Sequence, residues 1–523
     1  MKQCLKPLVV SLLLSGVVSA PALAATANQA DDQQLQRLEQ QVNNLQSEVK
    51  SLKGQRVSSK HAVKHKHAHH TVEASAPASV PDNANGIPRT PNAYLESFPI
   101  DPDVPGKSFV STGPYIGVPF VYSGGDLVIN SPSVNQDVAL LNIRKAIRKK
   151  LSALGRGDEA DHAHLLLSGI VEGAASYQRP GVGSVQTSID LSAAELDGYI
   201  LGPSNWTSGL IAFSYDDANG VSEGSLNNNA RNQNSRIYLN KAFITIGDFS
   251  KTPFYGTIGQ MYVPFGTYSS SMIASPLTKA VGRTKARAIV IGYQQQAEAN
   301  AFYASGYAFK GDSYVGATSR VNNGGVNVGY HYAVGNIHGD FGGGVIANIA
   351  DAGGMQNNGN STPQFGGFGA NGNGNENIAH RVPAMNVRGL FSIGDHIDLL
   401  AEYIGAINSF SKSDMTMNTH GAKPQAVNAE AAYTFTAFER PSSLALAYGK
   451  SKDALALGIP AQRYSVALNT SWWKDTLQTV EFRHDVNYAA GNSATGTSTS
   501  ATLPITGSGK PDNAVTAQID IYF

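Results

Sequence analysis

Five basic residues are the positions in this sequence best suited to bind an anion. They occupy polar positions in segments where apolar and polar residues alternate, and they are Lys241, Arg287, Arg388, Arg463 and Arg483. An Arg side chain is a planar fork that binds a carboxylate through two hydrogen bonds, so the group favours an anionic solute. The alternative for each residue is an ion pair with an acid on the same face of the sheet. Those acids include Glu402, Glu430, Glu481 and Asp485.

A histidine tract near the N-terminus is the second group of residues whose side chains can do chemistry. It contains His61, His65, His67, His69 and His70, interleaved with lysines. Neutral imidazoles are ligands for transition metals. No Asp or Glu lies within the tract to fix a coordination geometry, so a solvated segment that becomes cationic at mildly acidic pH is the favoured alternative. The metal question stays open, and no cofactor is predicted.

Catalytic motifs are weak in this sequence, which predicts that the protein is not an enzyme. Residues 367–372 match G-x-G-x-x-G but lack the preceding strand and following helix that a dinucleotide site needs. No H-E-x-x-H or G-x-S-x-G sequence occurs. His331 and His484 lie in predicted strands, yet the sequence places neither beside a nucleophile and an orienting acid. A net charge of zero gives no reason to expect nucleic-acid binding.

The elements that must hold these residues are β-strands. In the segment Asn513–Phe523 apolar and polar residues alternate, so one face of the strand is apolar and the other polar. Its eleven residues are about the length of a tilted membrane-spanning strand. The strand ends in Phe523 and resembles the signal that the bacterial barrel assembly machinery recognises. A soluble β-sandwich can also end in such a strand, so the fold class depends on the rest of the chain.

Similar alternation recurs and predicts about sixteen strands. They start near residues 164, 186, 207, 236, 254, 285, 299, 325, 338, 384, 396, 425, 443, 462, 477 and 513. Past residue 384, tight connections such as 394–395 mostly alternate with long ones such as 406–424, as in a barrel with short turns on one side and long loops on the other, and the sorting is imperfect nearer the start. The sequence therefore predicts an all-β fold, a transmembrane antiparallel β-barrel over residues 163–523. In such a barrel the polar strand positions face the lumen. Strand parity therefore predicts that the five basic residues and the acids Glu402, Glu430, Glu481 and Asp485 point inward.

The composition agrees with a membrane barrel. Charged residues make up 15% of the chain, against roughly 25% in soluble domains. After Ala24 there is no run of about 18 apolar residues, and a barrel needs none because only every second residue of a strand faces lipid. The only cysteine, Cys4, precedes the first apolar stretch, so no disulfide is expected.

Four segments precede the predicted barrel. Residues 1–24 have the charged start, apolar stretch and Ala-Leu-Ala site of a secretory signal peptide. Residues 25–53 carry a heptad pattern of Leu and Val, which predicts a coiled coil and a homo-oligomer through residues 31–53. A single amphipathic helix is the alternative. Residues 54–93 have the composition of a disordered, His-rich linker.

Residues 94–162 are predicted to form a periplasmic cap or partial plug. A strongly basic helix is expected from Ser133 to about Leu154, opened by a capping box with Gln136. Such a helix suits an anionic membrane surface or the mouth of a pore, and a simple solvated basic face is the alternative.

Three stretches resemble a known family. They are residues 113–117, residues 125–130 and above all Asn240–Tyr268. With the order of segments, they are similar to the outer-membrane iron-uptake proteins of the LbtU and FupA/FslE group of Legionella and Francisella. The resemblance covers most of the mature chain and implies a receptor or transporter for a ferric siderophore, with polycarboxylate siderophores as the ligand class. It transfers no ligand-contact residue to a position in this sequence.

Two functions therefore compete. The first is uptake of a ferric siderophore, or another small anionic solute, through a basic lumen. The second is a general diffusion porin for small solutes, and a surface adhesin with a closed barrel is a third possibility. All of them place the barrel in the lipid of the cell outer membrane and the N-terminal segments in the periplasm.

Overall fold

The structure is a computed structural model, and it describes part of the chain. The described residues are 108–112, 134–153, 163–202, 206–216, 236–296, 300–316, 320–357, 364–369, 376–394, 396–473, 476–496 and 503–522. All of them belong to the compact unit Pro81–Phe523. The predicted signal peptide, coiled coil and histidine tract lie outside the described residues, and so does Phe523.

The described ranges contain twenty-one strands. In chain order they are β1 (Ser108–Thr112), β2 (Ala163–Arg179), β3 (Gln186–Leu201), β4 (Thr207–Asp216), β5 (Arg236–Gly247), β6 (Phe254–Tyr262), β7 (Lys285–Gln294), β8 (Ala301–Phe309), β9 (Asn323–Val334), β10 (Ile337–Ile346), β11 (Ala384–Ile393), β12 (Ile397–Ala406), β13 (Met415–Met417), β14 (His420–Gly421), β15 (Gln425–Ala437), β16 (Arg440–Lys452), β17 (Gln462–Thr470), β18 (Thr476–Val486), β19 (Ser493–Gly496), β20 (Ile505–Thr506) and β21 (Pro511–Tyr522). Each of the sixteen predicted strands starts within three residues of an observed long strand.

Sixteen of the described strands close into one antiparallel barrel, made of β2–β12, β15–β18 and β21. Closure is at the seam where β21 pairs with β2, and Ile170 lies opposite Tyr522. The predicted antiparallel β-barrel is confirmed. β1 pairs in parallel with the start of β2, from Ser108 opposite Ala163 to Thr112 opposite Leu167. It occupies the edge of β2 that β21 leaves unpaired, so this edge is not open to another chain.

With one exception, the six-residue connection 180–185, the connections are sorted by length between the two rims of the barrel. The short-turn rim carries connections 202–206, 248–253, 295–300, 335–336, 394–396, 438–439 and 471–475. The long-loop rim carries connections 180–185, 217–235, 263–284, 310–322, 347–383, 407–424, 453–461 and 487–510. This is the arrangement of outer-membrane barrels, in which short turns face the periplasm and long loops face the exterior.

The two faces of the barrel wall differ in chemistry. Large apolar side chains project outward and are exposed along most strands, for example Ile244, Val328, Val387, Val466 and Ile519. The inward positions between them are polar or small. An apolar band of this kind is the lipid-facing surface of a membrane barrel, because backbone groups are satisfied between strands while side chains alternate between lipid and lumen.

Helices are few in the described ranges. α1 spans Gln136–Ala153, α2 spans Leu277–Gly282 and α3 spans Gly353–Gln356, with single 3-10 turns at Ile349–Asp351 and Leu455–Leu457. Within these ranges, no helix is both long and apolar enough to span a membrane. Beyond the barrel, β13, β14, β19 and β20 form a small sheet from two of the long loops.

Candidate functional site in the barrel lumen

Lys241 lies on β5 and points into the lumen, as its alternation predicts. Its side chain is buried, and its Nζ lies 2.8 Å from Glu195 Oε1 on β3. The second Glu195 oxygen accepts hydrogen bonds from Ser214 and Asn240. Lys241 is therefore part of an ion pair that joins strands of the wall.

Arg388 on β11 is also inward and lies in a buried polar network. Its Nη2 donates to Tyr303 Oη at 2.8 Å and to Asn327 Oδ1 at 2.9 Å. Its Nη1 donates to Asn386 Oδ1 at 3.0 Å, and its Nε lies 3.8 Å from Asp340 Oδ1. The guanidinium thus connects β8, β9, β10 and β11 from inside.

Arg463 and Arg483 are inward and share one acid. Arg463 on β17 binds both oxygens of Asp485 on β18, with Nε–Oδ1 at 2.7 Å and Nη2–Oδ2 at 3.0 Å. The Nε of Arg483 lies 3.2 Å from Asp485 Oδ2. The four inward cations, Lys241 included, are thus each near or in contact with a wall carboxylate.

The prediction that Arg287 faces the lumen is wrong. On β7, Arg287, Ile289 and Ile291 are exposed, whereas Ala288 and Val290 are buried. Arg287 therefore shares the outward face with the two isoleucines. On the inward face of β7, Ala288 and Val290 belong to the same buried apolar core as Leu140 and Leu141 of α1. Both faces of β7 are therefore apolar, and alternation alone does not tell them apart.

Connection 263–284, here called the inserted loop, folds into the lumen and crosses to the opposite wall. Three inward carboxylates hold it. Glu402 Oε1 accepts from the Thr267 backbone N–H at 2.6 Å, and Glu402 Oε2 accepts from Thr278 Oγ1 at 2.7 Å. Glu430 Oε2 accepts from the Ser271 N–H at 3.0 Å. The predicted inward orientation of Glu402 and Glu430 is confirmed.

The third anchor lies farther around the wall, on β18. Glu481 Oε2 accepts a hydrogen bond from the Ala274 backbone N–H at 2.9 Å. Next to it, Arg463 Nη1 donates to the Ser275 carbonyl at 3.0 Å. The tip of the inserted loop also packs on small residues of the wall, because Met272 contacts Ala432, Ala445 and Ala467. The inserted loop is thus fixed by hydrogen bonds and by apolar contact.

α1 lies inside the barrel against the wall of β3–β6. Its buried residues Leu140, Leu141 and Ile147 belong to the same apolar core as inward residues of the wall. Tyr199 Oη donates to the Leu140 carbonyl at 2.7 Å. Near the short-turn rim, Arg148 Nη1 lies 3.0 Å from Asp248 Oδ2. The helix therefore fills part of the lumen.

The N-terminal end of α1 meets the inserted loop. Thr257 Oγ1 donates to Asp137 Oδ2 at 2.8 Å, and burial raises the pKa of Asp137 above its usual range. A small cavity, with a volume of about 10 Å³, lies between Asn135–Asp137 and Pro264. On the inserted loop, burial lowers the pKa of Lys279 to about 7, and repulsion from Arg283 acts in the same direction.

The long loops cover the inserted loop at the other rim. α3 lies on α2, where the Gly353 N–H donates to the Arg283 carbonyl at 2.8 Å. Above them the Phe368 ring lies 5.3 Å from the rings of Phe365 and Phe410. Asp351 joins two loops by accepting from the Ser313 N–H at 2.7 Å and from Asn323 Nδ2 at 2.6 Å. Burial raises the pKa of Asp351 to about 6.

The sequence predicts that 265–284 is a long connection, but it does not predict that this connection folds into the lumen. The available signal is the run Ser269-Ser270-Ser271 followed by Met272 and Ile273, which has no charge and lacks the Asn and Gly of the other long loops. The described ranges contain no group of three or more His, Cys, Asp or Glu side chains arranged to hold a metal ion. The metal prediction for the five N-terminal histidines concerns residues outside those ranges.

Comparison with known proteins gives a family. No family model matches the chain. A UPF0422 protein of Coxiella burnetii is 39% identical over 419 residues, which cover 80% of this chain and 84% of that protein. The chain belongs to the UPF0422 family. A UPF0422 protein of Legionella pneumophila strain Philadelphia 1 is 38% identical over 473 residues, covering 89% of this chain and 86% of the relative.

Solved structures similar to this UPF0422 chain are outer-membrane porins and channels. The outer-membrane channel DcaP of Acinetobacter baumannii is 16% identical, with a TM-score of 0.41, and the match covers 69% of this chain and 97% of DcaP. An anion-selective porin from Comamonas acidovorans is 11% identical, with a TM-score of 0.43, and the match covers 69% of this chain and 100% of the porin. Similarity at this level concerns the fold alone.

Proposed function

We propose that this UPF0422 protein is an outer-membrane channel or transporter whose lumen is closed by the inserted loop and α1, and which opens when they move. The observation that carries this proposal is the fixing of the inserted loop to the far wall by Glu402, Glu430 and Glu481. The outward apolar band supports a membrane location. By the rule for such barrels, the long-loop rim faces the exterior and α1 lies on the periplasmic side.

The chemistry of the anchors suits a reversible closure. Each anchor is a hydrogen bond from a backbone N–H or a hydroxyl to a carboxylate, worth about 1.5–3 kcal/mol. Water can replace these donors and acceptors when the inserted loop leaves the wall. The closure therefore depends on a small number of replaceable contacts.

Single-channel recording of the variant Glu402→Gln/Glu430→Gln tests the proposal. An amide keeps one acceptor and turns a donor toward the N–H groups that the carboxylate accepted, so we expect frequent openings where the unchanged protein opens rarely. Glu439→Gln, on an exposed short turn, is the matched control. Barrel folding is checked by heat-dependent migration on gels. A large, steady and unselective conductance of the unchanged protein would favour a general diffusion porin instead.

We propose a ferric siderophore as the cargo. The stretch Asn240–Tyr268, which carries the resemblance to iron-uptake proteins, spans β5, β6 and the start of the inserted loop. It includes Asp248 and Thr257, which bind α1. A polycarboxylate siderophore would have to replace a wall acid such as Asp485 on an inward Arg, because these cations are already paired.

Uptake of a labelled ferric siderophore by a deletion strain, with and without iron limitation, tests the cargo. We expect uptake to return with the unchanged gene and to fall when Arg388, Arg463 and Arg483 are replaced together by Gln. Loss of host-cell attachment with unchanged uptake would favour an adhesin. Oligomerisation through residues 31–53, and recognition of the strand ending at Phe523 by the assembly machinery, are further proposals that concern partners.

A further inference from the structure

Two basic residues lie side by side on the outward face of the barrel, at the long-loop rim. Arg287 on β7 and Lys310, the residue that follows β8, are both exposed. Ala288 pairs with Phe309 across these two strands, and the next residues toward the rim are Arg287 and Lys310. The alternation of β8 continues to Lys310, because Ala308 is exposed and Phe309 is buried. Both cations therefore belong to the face of the wall that carries the apolar band.

Each of the two cations ends a run of outward apolar residues. Toward the short-turn rim from Arg287 are Ile289 and Ile291, which are 52% and 67% exposed. Toward the same rim from Lys310, Ala308 and Phe302 are exposed on β8. A charge on the lipid side of a barrel is costly at the bilayer midplane and costs little near the interface. The change from apolar to basic residues therefore places Arg287 and Lys310 at the level of the lipid headgroups.

No carboxylate of the described residues compensates this outward pair. Within those ranges, neither side chain forms an ion pair or a hydrogen bond, and the exposed acid Asp312 forms no ion pair with Lys310. The cross-strand partner of Arg287 on β6 is the neutral Gln260, whose amide donates to backbone carbonyls of β5. The inward cations of the wall differ, since each is near or in contact with a carboxylate.

Two adjacent cations at this level suit an anionic phosphate group. The planar fork of an Arg side chain binds two phosphate oxygens, and a Lys ammonium adds a point charge. Basic clusters beside a membrane bind anionic lipid headgroups in this way. A lipid fits better than a free anion, because the cations continue directly into an apolar surface on which acyl chains can pack.

We propose that Arg287 and Lys310 bind a phosphate group of an anionic lipid in the exterior leaflet of the outer membrane. The acyl chains of this lipid lie against the outward side chains of β7 and β8, including Ile289 and Ala308. The inference uses the proposed orientation of the barrel and goes beyond the channel function. It gives Arg287 a role on the face where its strand parity does not place it.

Native mass spectrometry of the full chain in detergent, with added lipid A or dephosphorylated lipid A, tests binding directly. We expect lipid A to bind several-fold more tightly than the dephosphorylated form, and this preference to disappear in Arg287→Gln/Lys310→Gln. The matched control Arg381→Gln/Lys412→Gln removes two exposed cations from the long loops and should keep the preference. Arg287→Gln alone serves if the double variant folds poorly. Equal binding of the two lipids, or an equal loss in the control, would overturn the inference.

Denaturant midpoints in phosphatidylcholine vesicles distinguish a lipid phosphate from a free one. A ligand that binds only the folded state raises the midpoint. We expect lipid A in the vesicles to raise it for the unchanged protein and to raise it less for Arg287→Gln/Lys310→Gln, whereas inorganic phosphate should have no effect. An equal rise with inorganic phosphate would assign the site to a free anion and overturn the inference. Neither experiment measures conductance, so a failure here leaves the channel proposal standing, and a failure of the channel proposal leaves the lipid site standing.

Discussion

Arg463 and Asp485 lie opposite each other on β17 and β18 and form a two-point ion pair at 2.7 and 3.0 Å. The remaining guanidinium nitrogen of Arg463 donates to the Ser275 carbonyl of the inserted loop at 3.0 Å. One side chain therefore binds both the wall and the segment that closes the lumen. The planar fork of Arg makes this possible, since each of its three nitrogens points in a different direction.

Replacing Arg463 by Lys should loosen the closure. A Lys ammonium cannot bind both oxygens of Asp485 and also reach the Ser275 carbonyl, so the inserted loop loses an anchor worth about 1.5–3 kcal/mol. We expect more frequent openings in single-channel recordings. Arg179→Lys, at the exposed end of β2, is the control. An open probability equal to that of the unchanged protein would mean that Arg463 acts on the wall alone.

The pair Arg148 and Asp248 should hold α1 inside the barrel. Asp248 is buried, so Asp248→Asn leaves Arg148 without its partner charge and weakens the helix contact. We expect faster tryptic cleavage after Lys149 in outer-membrane preparations opened on the periplasmic side. Reversing both charges, with Arg148→Asp and Asp248→Arg, should restore part of the protection. The interaction free energy between the two residues in this double-mutant cycle is expected to be roughly 0.5–3 kcal/mol. Unchanged cleavage in Asp248→Asn would show that apolar contacts alone fix the helix.

Closure should depend on pH through Lys279. Its pKa is lowered to about 7 inside the barrel, against an ordinary value of 10.5 for a solvated Lys. A released loop therefore binds more protons than the closed one between these two pH values, so lowering the pH through this window favours release. We expect the open probability to rise as the pH falls from 10 to 7, by at most about tenfold per pH unit, and to level off below. In Lys279→Met this dependence should disappear.

A charged side chain on the outward face should lower the stability of the barrel. Val466 lies near the middle of β17 and is 40% exposed on the lipid side. An Arg at the bilayer midplane of a barrel costs about 2–4 kcal/mol, so Val466→Arg should lower the denaturant midpoint in lipid vesicles. Ser188→Arg, at a half-buried position on the inward face of β3, should leave the midpoint nearly unchanged. Equal losses in both variants would contradict the assignment of the two faces.

Alternation predicts the strands of this protein well because the lipid and the lumen impose opposite chemistry on successive residues. On β12 and β15 this also predicts the inward position of Glu402 and Glu430. The same reasoning misplaces Arg287, since the inward face of β7 belongs to the buried apolar core and does not contrast with the outward face. Residues can be assigned to a face from sequence only where the inward face of the wall contacts water and is therefore polar.

Local pattern determines the strand positions, the alternation of short and long connections and the all-β class, because each depends on residues within a few positions of one another. The partners of the inward charges depend on closure of the barrel. Ser270 bonds Glu430 across 160 residues, and Thr257 bonds Asp137 across 120. Only the tertiary structure decides that the wall acids hold the inserted loop, that the inward basic side chains are already paired, and that β21 closes the barrel against β2. Such contacts join segments that are far apart in the chain, and the local pattern of one segment does not specify its partner in the other.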